Sequence, residues 1–381
     1  MDILFLIAAA VFVALFGSLF YARVWDRGLW VDIHFQDHPA VEGEEASLTE
    51  VIQNQKPLPL PILRVKFQID RSLEFLGGEN TSVSDKSYRH DIFSVMLYQK
   101  ITRRLPFHCR RRGYYTVEGL DLLTYSLFFT GRMVKRLSAN THLYVYPSPV
   151  DPIRLSIPLR HLMGEIASRR YAYQDPFLFQ GIREYQPFDA MSAVNWKATA
   201  RTDELKVNVH GYTSSEEVCL LLNLESETVW EYASLKEESI RLAAALGQSL
   251  IAQGIPVSLY SNGADLLTGE PAFLPAGAAA SHAVALLETL SRIDYQRGVT
   301  PFSQLLNQIP ARDGGRQIYV LLSTSQRTDS LVSIARLAGA SSGQDSASFL
   351  FLCPLHPDMD FRPPALRGME AYRWEVPYDK E

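Results

Sequence analysis

Residues Ile3–Ala22 run as ILFLIAAAVFVALFGSLFYA, without one charge. About 20 apolar residues are what a helix needs to cross the hydrocarbon core of a bilayer. Within lipid such a segment can fold only as a helix, because every backbone polar group must be satisfied internally. A cleaved secretory signal opens on a basic stretch and closes on small residues. Here the early charge is Asp2, and Arg23 arrives before any such cleavage site. A single-pass anchor is therefore expected over residues 1–29, with Tyr21, Trp25 and Trp30 as its interfacial aromatics. Arg23 and Arg27 follow the run, and basic residues favour the cytoplasmic side, so the body of the protein is expected there.

The remaining chain is long enough for two or three domains: 381 residues in all, 47% of them apolar. Its 37 basic and 42 acidic residues are interspersed to a net charge of −5. That balance offers neither the basic tract expected of a nucleic-acid binder nor an acidic disordered tail. Cys109, Cys219 and Cys353 are too few and too far apart for a disulfide framework or a zinc motif. Cys219 and Cys353 lie in apolar runs, where a thiol packs as a small hydrophobe. The nine histidines are scattered; His34 and His38 stand four apart, but in a β-rich stretch rather than on a helix. Gly263 and Gly269 do not form a phosphate loop. Ser214 and Ser215 precede a strand rather than follow one, so no nucleophile elbow is suggested. No cofactor is expected.

Residues 30–147 read as an antiparallel β-sandwich. VDIHF, ASLTEVIQN, ILRVKFQID, SVMLYQKI, YYTVEGLDLLT and HLYVYP are short and β-rich, with turn signals between them. The proline-rich Lys56–Pro61 suits a stiff connection or edge segment better than a ligand for an aromatic groove. Arg110–Arg112 with Gly113 is expected as a basic, solvated hairpin tip. Residues 148–178 read as a linker with a short helix near Arg160–Ala167.

Residues 179–381 combine a charged, aromatic loop with an α/β domain. The loop, Phe179–Val209, gathers Arg183, Glu184, Asp189, Lys197 and Arg201 among Tyr185, Phe188 and Trp196. Opposite charges so placed are expected to form either a latch of salt bridges and stacked rings or a partner surface. Drawing Asp189 with Lys197 or Arg201 as acid and base is the weaker reading, since no third group orients them. Beyond the loop, VCLLLNL (218–224) is a continuous apolar run of the kind buried on both faces. A helix over Ala233–Gln253, closed by Gly254, IPVSLY (255–260), helices near 281–293, 301–308 and 327–338, and strands QIYVLL and SFLFLC follow. An edge strand is expected at Met369–Val376. Such alternation predicts right-handed crossovers and a mostly parallel sheet, whose ligands gather at the carboxyl ends of the strands.

The loop resembles the domain of unknown function 58 family. Gly181, Arg183, Tyr185, Asp189, Trp196, Thr199, Ala200 and Arg201 stand in the family's places, whereas Phe188 replaces a usual glycine and Ser192 a usual arginine. The resemblance implies a von Willebrand factor A-like (Rossmann-like) α/β domain, so that the fold class becomes a transmembrane helix, an antiparallel β-sandwich and an A-like domain. In A-like domains the first strand is followed by the metal-ion-dependent adhesion motif D-x-S-x-S. Here Asn223 takes the aspartate position and Glu225 and Glu227 the two serine positions, while Ser323-Thr324 stands where an aspartate-glycine pair is common. Without those anchoring carboxylates the site reads as degenerate, because Mg²⁺ is held through carboxylates and waters in near-octahedral geometry.

The same resemblance implies a non-catalytic scaffold or adaptor in a bacterial inner membrane. Its partners are then the lipid bilayer and a MoxR-type AAA+ ATPase or another membrane protein, and its work is the assembly or maintenance of envelope or protein complexes. Gly181, Arg183, Tyr185, Asp189, Trp196, Lys197 and Arg201 are expected to serve as partner surface or interdomain latch. Two other classes compete with this expectation: a metal-dependent adhesion module, and an envelope enzyme with its site at the sheet's carboxyl edge.

Overall fold

The computed structural model of the chain describes residues 2–76, 81–83, 87–126, 131–172, 174–187, 189–212, 217–227, 232–309, 317–342 and 349–378. It divides into two compact units, Met1–Ser148 and Pro149–Glu381.

The first unit opens with α1 (Asp2–Val24). Its Phe5–Val24 segment has the length and composition of a membrane anchor and of a signal sequence alike. Tyr21 and Trp25 are not interfacial aromatics. They are 1% and 5% exposed and belong to the core of the β structure that follows. The Tyr21 hydroxyl donates to the Pro59 carbonyl at 3.2 Å, and the Lys56 ammonium donates to the Trp25 carbonyl. The last turns of the helix are thus anchored in protein, leaving Trp30 as the exposed aromatic of the three.

Ten strands follow: β1 (Leu29–Phe35), β2 (Ala40–Val41), β3 (Glu45–Asn54), β4 (Leu60–Ile69), β5 (Leu73–Phe75), β6 (Thr81–Val83), β7 (Ser87–Val95), β8 (Lys100–Cys109), β9 (Gly113–Tyr125) and β10 (Arg132–Tyr146). One sheet has the order β1-β3-β8-β5 and the other β2-β10-β9-β4-β7-β6. All their pairings are antiparallel except β2 with β10. Alternating residues such as Leu48, Ile52, Val65, Phe67 and Phe107 fill one shared core, as period-two burial requires.

Two local expectations are corrected. SVMLYQKI is not one strand; it contains the end of β7, a turn and the start of β8. The turn is held by the Asn54 amide on the Met96 carbonyl, by the Met96 N–H on the Gln99 side chain, and by a left-handed Tyr98 (φ 51°). Arg110–Arg112 is not a hairpin tip either. It carries the chain from β8 in one sheet to β9 in the other, with Arg112 buried and the Tyr115 hydroxyl donating to the Arg111 carbonyl.

The second unit begins with a further correction. Residues 152–172 form one helix, α2 (Pro152–Ala172), rather than a linker. Leu155, Leu162 and Ile166 lie on one face of it and enter the unit's main core. Pro158 argues against a helix in the sequence, yet it removes only one backbone bond, near the N-terminal end. The segment from Phe179 to Val209 is likewise not a loop. It comprises β11 (Gln174–Glu184), α3 (Trp196–Thr202) and β12 (Lys206–Tyr212), with β11 and β12 paired antiparallel.

The α/β sheet contains β13 (Glu217–Asn223), β14 (Val257–Asp265), β15 (Pro271–Gly277), β16 (Ile293–Val299), β17 (Gln317–Ser323), β18 (Phe349–Leu355) and β19 (Met369–Glu375), in the order β15-β14-β13-β17-β18-β19 with β16 also on β14. The run from β14 to β19 is parallel, as the alternation predicts. β15 and β16 are antiparallel additions whose short, partly exposed sequences carry little periodicity. α4 (Ala233–Ala252) and α5 (Ala280–Arg292) pack with α2 on one face, against Val218, Leu220 and Leu222. α6 (Phe302–Gln308) and α7 (Thr328–Ser342) cover the other face, against Cys219 and Leu221. A Cβ on Gly247 would lie 2.2 Å from Leu286 Cδ2, so glycine lets α4 and α5 approach.

One polar cluster interrupts the first unit's core. Asp91 is fully buried and accepts from Arg89 at 2.6 Å and from Arg103 at 2.9 Å, but neighbouring Glu50, 1% exposed, has no hydrogen-bond partner for either carboxylate oxygen among the described residues. Burial, and then the negative charge of Asp91, push its pKa from 4.5 up to about 8. The folded chain therefore keeps a proton that the unfolded chain releases, and stability falls as pH rises from 4.5 to about 8. Glu50→Gln should remove a slope of up to about 1.4 kcal/mol per pH unit and leave the variant the more stable protein at the alkaline end. Urea unfolding of both proteins across that range checks this, and parallel pH profiles would refute it.

Candidate functional site

The frame formed by β11, α3 and β12 gathers every residue expected in the latch. Gly181 pairs with Val209, Arg183 with Val207 and Glu184 with Lys206. Where β11 ends, the Arg183 guanidinium grips Asp189 in a two-point contact, 2.6 Å and 2.5 Å. The same carboxylate accepts the Gln186 N–H at 2.8 Å, which closes the turn after β11. The bound guanidinium holds the Asp189 carboxyl below the usual aspartate range. Tyr185 joins the frame by backbone, its N–H donating to the Leu205 carbonyl at 2.8 Å.

Asn195 caps α3 by accepting the Ala198 N–H at 2.9 Å, while its amide group donates to the Asn208 side chain at 2.7 Å. Thr199 Oγ1 accepts the Lys206 N–H at 3.0 Å and ties the helix to β12. The helix ends at Asp203 in the left-handed conformation, φ 56°. Lys206 bridges Glu204 at 2.9 Å and Glu184 at 3.3 Å, and these hydrogen bonds raise its pKa. Asn195 and Lys206 are structural members that sequence reasoning missed. The cap signal was present, an asparagine directly before Trp196-Lys197-Ala198, but the stretch reads as loop because α3 has only seven residues.

The outcome splits the expected residues into two groups. Arg183, Asp189 and Thr199 hold the frame. Trp196, 62% exposed, and Lys197 and Arg201, also exposed, make no ion pair or ring contact among the described residues. Asp189 meets Arg183 rather than Lys197 or Arg201, so the acid–base drawing of those pairs is corrected. Ser192 sits exposed in a 3₁₀ turn, Met191–Ala193, and Phe188 lies outside the described residues. An open cleft beside the frame is lined by Ile182, Arg183, Glu184, Gln186, Ala198, Thr202 and Lys206.

At the carboxyl edge of the large sheet, β13 has its neighbours β14 and β17 on opposite sides, so the chain order reverses there, the place where ligands of such sheets gather. Asn223, 1% exposed, donates to Ser323 Oγ at 3.0 Å. Its carbonyl oxygen accepts the Glu225 N–H at 3.0 Å and the Asn262 amide at 2.9 Å. Asn262 in turn accepts the Leu224 N–H at 2.8 Å. Glu225 accepts the Phe302 N–H at the start of α6, 2.8 Å, and Glu227 accepts the Ser325 hydroxyl at 2.9 Å and the Gln326 N–H. Both carboxylates therefore bind loops, pointing at different elements. Among the described residues no cluster of three or more His, Cys, Asp or Glu side chains is arranged to hold a metal. Cys353, beneath this edge, is pushed up to about 12 by burial and stays a thiol.

Asn223→Ala should strand the buried Asn262 amide and the Glu225 N–H, costing about 1–3 kcal/mol. Thermal melts with and without Mg²⁺ read both that loss and any metal: the wild-type Tm is expected to stay fixed across the titration.

Comparison with known proteins adds the following. The family described as "Protein of unknown function DUF58" matches residues 181–341, which contain most of the frame and the polar cluster at the sheet edge. The chain is 20% identical over 300 residues to "Uncharacterized protein YeaD" of Bacillus subtilis (strain 168), covering 78% of this chain and 70% of that protein. Among solved structures it is similar to domains D2 and D3 of the major pilin SpaD from Corynebacterium diphtheriae (TM-score 0.22, 11% identity), covering 28% of this chain and 49% of that one. A non-cellulosomal cohesin from Archaeoglobus fulgidus gives a TM-score of 0.21 at 13% identity, covering 30% of this chain and 90% of that one. The similarity to the DUF58 family thus rests on residues 181–341, and the Bacillus relative is a distant one.

Proposed function

We propose that this protein is a non-catalytic, membrane-tethered scaffold whose β11–α3–β12 frame docks a partner protein, a MoxR-type AAA+ ATPase being the partner implied by the family resemblance. The observation that carries the reading is the set of large apolar side chains left exposed on one stiff frame: Phe179, Ile182, Met191 and Trp196 are 58%, 48%, 55% and 62% exposed. Exposed cations on the same short helix, Lys197 and Arg201, complete a surface of apolar anchors with a charged rim, the usual anatomy of a docking patch. The doubly wound sheet with a switch point beside β13 supports an A-like ancestry for the second unit. The engagement of Glu225 and Glu227 by backbone donors favours interaction over metal-dependent adhesion, and the same spent hydrogen bonds leave that edge ill-suited to chemistry. In this reading α1 spans the bilayer and the body lies in the cytoplasm, the side where such an ATPase works.

Trp196→Ala and Arg201→Ala should fold normally, since neither side chain is engaged among the described residues. Truncating a tryptophan anchor is expected to cost about 2 kcal/mol of binding, a roughly thirtyfold weaker capture of the ATPase. Arg183→Ala should act differently, speeding hydrogen exchange across β11 and β12. Undiminished capture by both surface variants would reduce the frame to a structural role.

A further inference from the structure

The end of the first unit where α1 arrives carries exposed apolar side chains. Met96, Leu97 and Tyr98, the turn between β7 and β8, are 58%, 51% and 68% exposed, and Trp30 on β1 is 49% exposed. Three consecutive exposed hydrophobes at a tight turn are unusual for a water-facing hairpin, where polar turn residues are the rule. The turn is nonetheless firmly built. Besides the Asn54 and Gln99 contacts that hold it, the Tyr98 N–H reaches the Lys56 carbonyl at 3.4 Å.

Lys56 fixes where this turn lies. Its ammonium meets the Trp25 carbonyl at the end of α1, so a single residue links the helix exit to the turn. Gln55 strengthens the link by donating its N–H to the Gly28 carbonyl at 2.7 Å. Trp30 pairs with Gln53, and Gln53 with Lys100, which sets all three in one row across the sheet at the same end. The exposed charges nearby are mainly positive, and Asp32, two residues along β1 from Trp30, is held by His34 at 2.9 Å. Arg23, Arg27 and Lys100 are exposed, whereas Asp26 is neutralised by Lys135 at 2.9 Å. Tyr21 and Trp25, the aromatics that would ordinarily sit at the headgroups, are buried in the core and unavailable for that task.

We propose that this end of the β unit rests on the bilayer, with Met96, Leu97 and Tyr98 inserted among the headgroups beside α1 and with Arg23, Arg27 and Lys100 facing anionic lipid. The proposal rests on the reading of α1 as a membrane span. Apolar and aromatic residues seated at the acyl boundary, ringed by cations, are the recognised chemistry of interfacial contact. A second contact beside the helix would fix the orientation of the β unit to the membrane, which a lone helix leaves free to swivel.

The test uses the whole chain reconstituted in vesicles of phosphatidylethanolamine and phosphatidylglycerol with brominated acyl chains. An environment-sensitive fluorophore is attached in turn to Leu97→Cys, Met96→Cys, Glu45→Cys and Leu15→Cys. The native cysteines are buried and stay unlabelled. Glu45 is exposed at the opposite end of β3, and Leu15 lies exposed on α1. The labels at 96 and 97 are expected to shift to the blue and to lose several-fold more intensity than the label at 45, approaching the loss at 15. Strong quenching at 15 with 96 and 97 no different from 45 would overturn the proposal and leave the span intact. No quenching at 15 would overturn the span and the proposal with it.

Discussion

Every residue of β13 is buried, from Glu217 to Asn223, because parallel strands flank it on both sides and helices cover both faces. A strand in that position has no water to satisfy its polar groups, so whatever polar atoms it carries must be paired within the protein. The Glu217 carboxylate meets Ser258 at 2.7 Å at one end of β13, and Asn223 meets Asn262 and Ser323 at the other. The character of the sheet's carboxyl edge follows from that requirement. An uncharged amide at 223 can donate to one neighbouring strand and accept from the other, which ties the three strand ends together with hydrogen bonds.

The same economy recurs in the frame upstream. Its charged residues are numerous, but most are used to hold backbone: Asp189 closes a turn, Thr199 binds the first N–H of β12, and Lys206 joins two strands' ends. Surface ion pairs contribute little one by one, yet the two-point Arg183–Asp189 contact fixes direction as well as distance. Stiffness gained in this way frees Trp196, Lys197 and Arg201 from structural duty. Exposed groups on a rigid support lose less freedom on docking than those of a flexible loop.

Both units were largely legible in the chain, for different reasons. β13, β17 and β18 announced themselves as uninterrupted apolar runs, and α4 and α5 by their spacing, because burial on two faces or along one stripe leaves a mark that survives without coordinates. The turn at Met96–Tyr98 did not, because its residues are apolar where turns are polar, so SVMLYQKI read as a strand. α2 was half-hidden by Pro158. The frame was visible as a family-like set of residues but not as a shape: α3 is too short for periodicity, and its cap asparagine gains meaning only from the strand it also touches.

By itself, then, the amino-acid order determined a twenty-residue apolar helix, a β-rich unit and an alternating α/β unit. These are consequences of local composition and of which side chains avoid water. Tertiary structure alone decided which charged residues of the frame are spent on holding it and which remain outward, that Tyr21 and Trp25 serve a protein core rather than an interface, and that Glu225 and Glu227 bind different segments. Those outcomes depend on which distant segments meet, and the partner of a carboxylate or an indole is set by long-range packing, about which neighbours in sequence are silent.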